Sequence, residues 1–436
     1  MHNYLVHQPV AFLRETARQF GILASSRVVH AFEDASTGRE FPSAAPLRVG
    51  MVSSDLCNHP VGYFLEALLG AVDPARIEFV AFPSHHVQDE VTARIKPYFH
   101  AWTPIHALSD DAAAHLIHAS GVQVLLDLSG HSAHNRLAVF AWRPAPVQAS
   151  WLGYFATTGV VEIDYIIGDP NVAPPGEAGH FTETVWRLPE IYYCFTPPAA
   201  VVKVSALPAL SSGHLTFGCF NNLTKLNDAV LALWARLLDA VPDSRLMLKA
   251  PQLRDASVCE HTRTRFAAYG VAEDRLLIEP PSSRIDYLRA YGRIDIALDP
   301  FPYPGGTTSF EALWVGVPVL TRRGDSFLSH AGETILHNAG LPDWIAADDD
   351  DYVAKAVHFA QNFDDLGSLR ARLRDQVLAS PLFDAPRFAR HFEAAMWGMW
   401  EQSRMELARY LDSDRQSDEA EVELQSALRT HAGQPS

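Results

Sequence analysis

A chain of 436 residues exceeds one ordinary core and fits two domains of typical size. Hydrophobic residues at 48% and charged residues at 20% give it the make-up of a soluble globular protein able to bury sizeable cores. The formal net charge of -16 argues against a protein that grips DNA or RNA by its backbone phosphates, which takes a basic face, while leaving room for a local cationic pocket built from Lys225, Arg322 and Arg323.

Cys57, Cys194, Cys219 and Cys259 are scattered and form no C-x-x-C pair. Neither a zinc site nor a disulfide framework is signalled, and a reducing compartment is expected. The opening MHNYLVHQPVAFLRETARQF lacks a basic region followed by an apolar one, and no apolar run approaches a membrane span. A cytoplasmic protein without a membrane partner is the expectation.

In chain order, residues 8–23 carry Val10, Leu13, Ala17 and Phe20 at helical spacing, and a polar loop runs on to Pro46. These residues, 1–46, form a leading helix and loop. LRVGMVS (47–53) then reads as a strand, 61–72 as a helix, 77–83 as a strand, 110–120 as a helix ended by Gly121, and 122–128 and 146–152 as strands. YIIGDP (165–170) and VWRLP (185–189) close this half. The runs are apolar almost throughout, as in a parallel sheet covered by helices on both faces.

Residues 196–213, with TPP, ALPAL and SSG, read as a linker. The alternation restarts: strands at 215–221, 244–250, 275–280, 294–299 and 317–321, with helices at 226–241, near 257–269, at 285–292 and after 306. Asp348 to Asp351 cap a helix starting near Tyr352. The expected division is an N-terminal domain over 47–200, a C-terminal domain over 214–400 and a helical tail over 401–436, with Leu407, Leu411, Val422, Leu424 and Leu428 as its apolar positions. The fold class is α/β, with two Rossmann-like doubly wound domains facing a cleft.

Four segments carry chemistry. In IDIALDPFPYPGGTTSFEALWVGVPVLT (294–321) the prolines break regular structure, Gly305 and Gly306 permit close backbone approach, and Thr307 and Thr308 open a helix whose free N–H groups suit a pyrophosphate. Glu311, a turn further on, is placed to accept from ribose hydroxyls. A lone GGTT is also an ordinary turn with a threonine cap; the strand and helix around it favour the ligand reading. In FGCFNNLTKLNDAV (217–230), Lys225 reaches the carboxyl edge of the second sheet, where a cation neutralises a leaving diphosphate, and Asn222 is placed to read a base or ribose edge. A surface lysine is the alternative. RVGMVSSDLCNHPVGYFLEALLG (48–70) sends Asp55 and His59 from a loop towards the cleft, with Pro60 as first helical residue. A histidine there binds a phosphate or hydroxyl, acts as base, or merely caps. In RPAPVQASWLGYFATTGV (143–160), Thr157, Thr158 and Gly159 form a polar loop on the cleft side, while Trp151 and Tyr154 read as core. The pairs His115/His118 and His131/His134 lack the partners a metal site needs.

These segments, in this order, resemble the catalytic region of the family 41 glycosyltransferases, the O-GlcNAc transferase and SPINDLY family, from about Leu47 to Trp400. The resemblance implies a GT-B fold and inversion at the anomeric carbon with no essential metal. It implies a nucleotide sugar, UDP-GlcNAc foremost, as donor and protein Ser or Thr hydroxyls as acceptor. GDP-fucose as donor, or UDP-glucose with Asn as acceptor, are alternatives; so are a sugar-nucleotide epimerase and a non-catalytic binding subunit. By resemblance His59 contacts donor and acceptor, Asp55 matches a carboxylate proposed as base, Lys225 binds the diphosphate, Thr307 and Thr308 bind the phosphates, and Glu311 lies near the ribose. The base itself stays open. Tyr287 falls where the family usually has a histidine packing on the nucleobase, YFATTG replaces YPGTSG around the expected sugar pocket, and His330 stands where relatives often carry arginine. Relatives carry helical repeats ahead of this region that hold acceptor proteins; here the chain opens in what resembles the linker helix after them, so a naturally short protein, a fragment, or a repeat-bearing partner are all expected possibilities.

Overall fold

The computed structural model describes residues 9–29, 31–32 and 46–432, with side chains as far as Arg409. Most of the loop expected before Pro46, and the side chains of Leu411, Val422, Leu424 and Leu428, lie outside the described residues.

The first sheet has seven parallel strands: β1 (Leu47–Ser53), β2 (Ile77–Pro83), β3 (Phe99–Trp102), β4 (Val124–Asp127), β5 (Val147–Ser150), β6 (Tyr165–Gly168) and β7 (Thr184–Arg187). Their order is β3-β2-β1-β4-β5-β6-β7. Leu47 lies opposite Ile77 and Val49 opposite Val124, so β1 is central and buried on both faces. The second sheet has six: β8 (Thr216–Cys219), β9 (Arg245–Lys249), β10 (Leu276–Glu279), β11 (Ile296–Leu298), β12 (Val319–Arg322) and β13 (Ile345–Ala346), in the order β10-β9-β8-β11-β12-β13. The sequence pattern does not show β3 and β13. Both are short edge strands; β3 joins through an irregular register and β13 has only two residues.

In each sheet the order reverses once, between β1 and β4 and between β8 and β11. At such a reversal the connections leave in opposite directions, so the loops at the carboxyl ends diverge and leave a crevice. The loops after β1 and β4 therefore face the loops after β8 and β11. That places Asp55, His59 and His134 opposite Lys225 and the Gly305–Thr308 turn around one cavity.

The domains meet over an aromatic seam. Phe310 of the second domain, 0% exposed, packs against Phe64, Tyr193 and Phe195 at ring separations of 5.3, 5.4 and 5.3 Å. Thr334 donates to Asp169 across the same boundary at 2.8 Å. His330 Nε2 lies 3.0 Å from Glu177 of the first domain, and its Nδ1 3.3 Å from Glu333 of its own helix. Burial by itself would lower the His330 pKa, but the paired carboxylates of Glu333 and Glu177 outweigh it and raise the value.

The expected boundary at 400 is displaced. The chain leaves the second domain at Phe383, whose ring lies 5.9 Å from Phe310, and the helix Ala385–Ala432 then runs over the first. Its Phe392 ring sits 5.1 Å from Trp151 and 6.2 Å from Phe79, and Glu393 pairs with Arg76 at 2.9 Å. Residues 385–400 thus belong by packing to the N-terminal domain, because Trp151 and Phe79 offer an apolar face that a helix must cover. The two chain crossings touch: Phe195 N–H donates to Leu382 O at 2.9 Å. The expected helix over 8–23 spans Val10–Ser25 and packs through Ala17, Gly21 and Ala24. Asp348 caps the helix Asp349–Ala360 by accepting from Asp351 N–H at 2.9 Å. Among the described residues no helix is long and apolar enough to cross a membrane.

Phe310→Ala is expected to cost about 3–5 kcal/mol in denaturant unfolding, the loss typical of a large buried ring. For His330→Gln the sign follows from the raised pKa. The stabilisation is complete below the ordinary value of 6.5 and is lost as pH rises through the folded value. The melting temperatures of variant and parent should therefore differ most in acid and converge at alkaline pH; a gap independent of pH contradicts this.

Candidate active site

The cavity between the domains has a volume of about 420 Å³. Its first-domain wall comes from Asp55, His59, Ser132, His134 and Phe155, and its second-domain wall from Asn221, Lys225, Tyr303 and the Gly305–Thr308 turn.

The second wall is built around a buried carboxyl group. Asp299, just beyond β11 and 2% exposed, accepts from Gly305 N–H at 3.1 Å and from Ser309 Oγ at 2.9 Å. Burial raises its pKa, against these hydrogen bonds and the nearby Lys225 ammonium. A Cβ on Gly305 would lie 2.1 Å from Ser309 Oγ and 2.7 Å from Asp299 Oδ1, so this turn closes only around glycine. Gly306 then serves as N-cap of the helix Thr307–Trp314 with no side chain capping it. The first N–H groups of an α-helix have no acceptor within it, and the residues that open this helix, Thr307 and Thr308, line the cavity.

Lys225 stands beside that helix end. Its Nζ donates to Asn221 Oδ1 at 3.0 Å and to Pro304 O at 2.8 Å, and lies 4.1 Å from the Tyr303 ring centroid. Burial pushes its pKa down to about 8, opposed by Asp299. The ammonium and the helix end form one positive focus in a chain of net charge -16.

On the other wall His59 caps the helix Pro60–Ala71, its Nδ1 accepting from Val61 N–H at 3.3 Å. An Nδ1 that accepts places the proton of the neutral ring on Nε2, so His59 is a donor at Nε2. Burial lowers its pKa, against the attraction of Asp55, whose Oδ1 is 3.9 Å from Nδ1. Among the described residues lining the cavity, Asp55 is the one carboxylate.

His59, Asp55, Lys225, Asn222, Gly305, Gly306, Thr307 and Thr308 all line the cavity. Asn222 has its carbonyl oxygen engaged: it accepts from Thr224 N–H at 3.0 Å and Gln252 Nε2 at 2.5 Å, capping a short turn. Glu311 is corrected. It is 1% exposed, does not line the cavity and pairs with Arg284. Tyr287 also lies outside the lining, its hydroxyl 3.2 Å from that of Tyr291 and its ring 5.7 Å from Phe220.

Thr157, Thr158 and Gly159 are corrected too. The two threonines are 3% and 0% exposed and are absorbed by the buried Glu183. Its carboxylate accepts from Thr157 Oγ1 at 2.6 Å, Thr158 N–H at 2.7 Å and the Thr158 hydroxyl. Gly159, at φ 75°, lies under the leading helix, where a Cβ would come within 2.1 Å of the Ala17 carbonyl. This loop is a structural bracket. Sequence reasoning missed Glu183, whose partners are 25 or more residues away, and missed Asn221, Tyr303 and Phe155 in the lining. For Asn221 the signal was present: it precedes Asn222 in the segment already singled out.

Two doubly wound domains facing a cleft, with a last helix returning to the first domain, define the GT-B class of glycosyltransferase fold. The chain belongs to glycosyltransferase family 41, whose model matches residues 22–196 and 195–392. A probable UDP-N-acetylglucosamine--peptide N-acetylglucosaminyltransferase SPINDLY from Solanum lycopersicum is 36% identical over 381 residues, covering 85% of this chain and 39% of that protein. The solved structure of a Thermobaculum terrenum O-GlcNAc transferase mutant matches with a TM-score of 0.85 at 33% identity, over 92% of this chain and 76% of that one. A lipopolysaccharide outer core galactosyltransferase, WaaB, shares the fold alone, with a TM-score of 0.53 at 12% identity over 80% of this chain and 99% of its own.

Thr158→Val removes one donor to Glu183 and is expected to cost about 1–3 kcal/mol of unfolding free energy. Ligand affinity at the cavity should be unchanged in the folded protein; weakened binding with unchanged stability would return this loop to the sugar pocket.

Proposed function

We propose that this chain carries the catalytic centre of an inverting transferase that moves GlcNAc from UDP-GlcNAc to Ser or Thr hydroxyls of a protein. The observation that carries the reading is the convergence of Lys225 and the Thr307–Trp314 helix end on one cavity between the domains. The names of the tomato and Thermobaculum relatives supply the sugar and the peptide acceptor. The chain spans 39% of the tomato relative, which leaves acceptor selection to be tested with the whole protein, including any repeat-bearing partner.

In this reading the donor diphosphate lies against Lys225 and the helix N–H groups. The acceptor oxygen attacks the anomeric carbon from the face opposite the leaving phosphate. The new C–O bond forms as the bond from that carbon to the phosphate oxygen breaks, and the electron pair departs with UDP. The charge that builds on the leaving oxygen is met by donors already in place. His59 Nε2–H adds a further donor from the opposite wall, and the hydroxyl proton has Asp55 as acceptor on that wall. Lys225 and the helix supply the positive charge, so we propose no essential metal; full turnover after chelator treatment is the expected result. Four unpaired cysteines suit a reducing compartment, and we place the protein in the cytoplasm.

The test is thermal stabilisation by UDP, GDP, UDP-GlcNAc, UDP-glucose and GDP-fucose, with the parent and with Lys225→Ala. A ligand at a hundredfold excess over its Kd stabilises by about 2.7 kcal/mol. Stabilisation by the uridine ligands, lost in Lys225→Ala, is expected. Guanosine selectivity would overturn the donor, and conversion of free UDP-GlcNAc without acceptor would favour an epimerase. UDP affinity should also weaken as pH rises through about 8, where Lys225 loses its charge.

A further inference from the structure

Lys225 is a four-carbon side chain, and a flexible ammonium loses rotamer entropy whenever it is held against a phosphate. What holds it here is Asn221, 4% exposed and two residues beyond β8. One oxygen, Asn221 Oδ1, accepts from Lys225 Nζ at 3.0 Å and from Thr308 Oγ1 at 3.1 Å. The first donor belongs to the loop after β8 and the second to the first turn of the helix Thr307–Trp314. The amide nitrogen points the other way, to Cys219 Sγ at 3.8 Å. That fixes the orientation of the carboxamide, since the flipped form would set its N–H groups against an ammonium and a hydroxyl.

We propose that Asn221 is a positioning residue of the diphosphate site, a neutral bracket that fixes Lys225 relative to the helix end. The inference rests on reading this cavity as the donor site. An ammonium has three N–H groups. Asn221 and Pro304 take one each, leaving the third for a phosphate oxygen. The bracket must be uncharged. A carboxylate at 221 would pair with Lys225 and repel the phosphates, whereas an amide supplies the same lone pair without a charge. Thr308, by giving its proton to Asn221, ties the bracket to the helix and leaves phosphate recognition there to backbone N–H groups.

The experiment is calorimetric titration of the whole chain with UDP from pH 7 to about 9, comparing the parent with Asn221→Ala, Asn221→Asp and Lys225→Ala. Asn221→Ala should bind UDP about tenfold more weakly at pH 7, on the scale of one lost hydrogen bond. Asn221→Asp, which keeps the shape, should also bind more weakly. Its alkaline loss of affinity should move above the parental value of about 8, because an anion beside Lys225 favours the charged ammonium. That shift reports the contact with Lys225; a merely structural asparagine would instead give an Asn221→Ala variant of lower melting temperature and parental UDP affinity. The isosteric aspartate decides the matter if the alanine variant does not fold. If Lys225→Ala loses UDP while both Asn221 variants bind with parental affinity and pH dependence, the positioning role is wrong and the donor site stands. If Lys225→Ala binds UDP as the parent does, the donor-site reading falls and the positioning role with it.

Discussion

The second domain of this molecule is organised by one buried carboxyl group. Asp299 has left the water behind, and a polar group at that depth is unfavourable unless it is hydrogen-bonded. It is made tolerable by Gly305 N–H, Ser309 Oγ and the field of Lys225. Each of these partners is thereby placed. The glycine turn is drawn tight, the helix Thr307–Trp314 starts at one point, and the ammonium is kept charged against its own burial. This carboxyl group is structural, and the positive site in front of it is its complement.

The opposite wall is held by different means. Asp55 and His59 sit on a loop between β1 and the helix Pro60–Ala71, and that helix carries Phe64 into the interdomain seam. Phe64 reaches Phe310, which sits three residues after Thr307. The two halves of the site are therefore joined through four rings of the core, so their separation is set by packing rather than by a flexible loop.

Much of the fold was legible because doubly buried strands leave continuous apolar runs and glycine and proline mark their ends. Two edge strands escaped: β3, FHAW, is half exposed and has no continuous apolar run, and β13 has only two residues. The limit at 400 was misplaced because an amphipathic helix announces that it has an apolar face but not which domain covers it. In the site, loop residues beyond β1, β8 and β11 could be named from their place after a strand. Glu311 and Thr157–Gly159 were misread for a shared reason. A polar side chain near a ligand loop looks like a ligand group until its buried partner is known. Those partners, Arg284 and Glu183, are 27 and 25 residues away in the chain, and nothing local in the sequence pairs them.

The chain passes between the domains twice, once near 196–213 and once near 379–384, and the Phe195–Leu382 hydrogen bond lays the two passages side by side. Two straps fastened along one edge behave as a door's hinge line. Sliding of one domain across the other would shear both straps in the same direction against their own backbones. Rotation about the line they share leaves both nearly unstrained. Any rotation of one domain against the other is thereby confined to the line through Phe195 and Leu382.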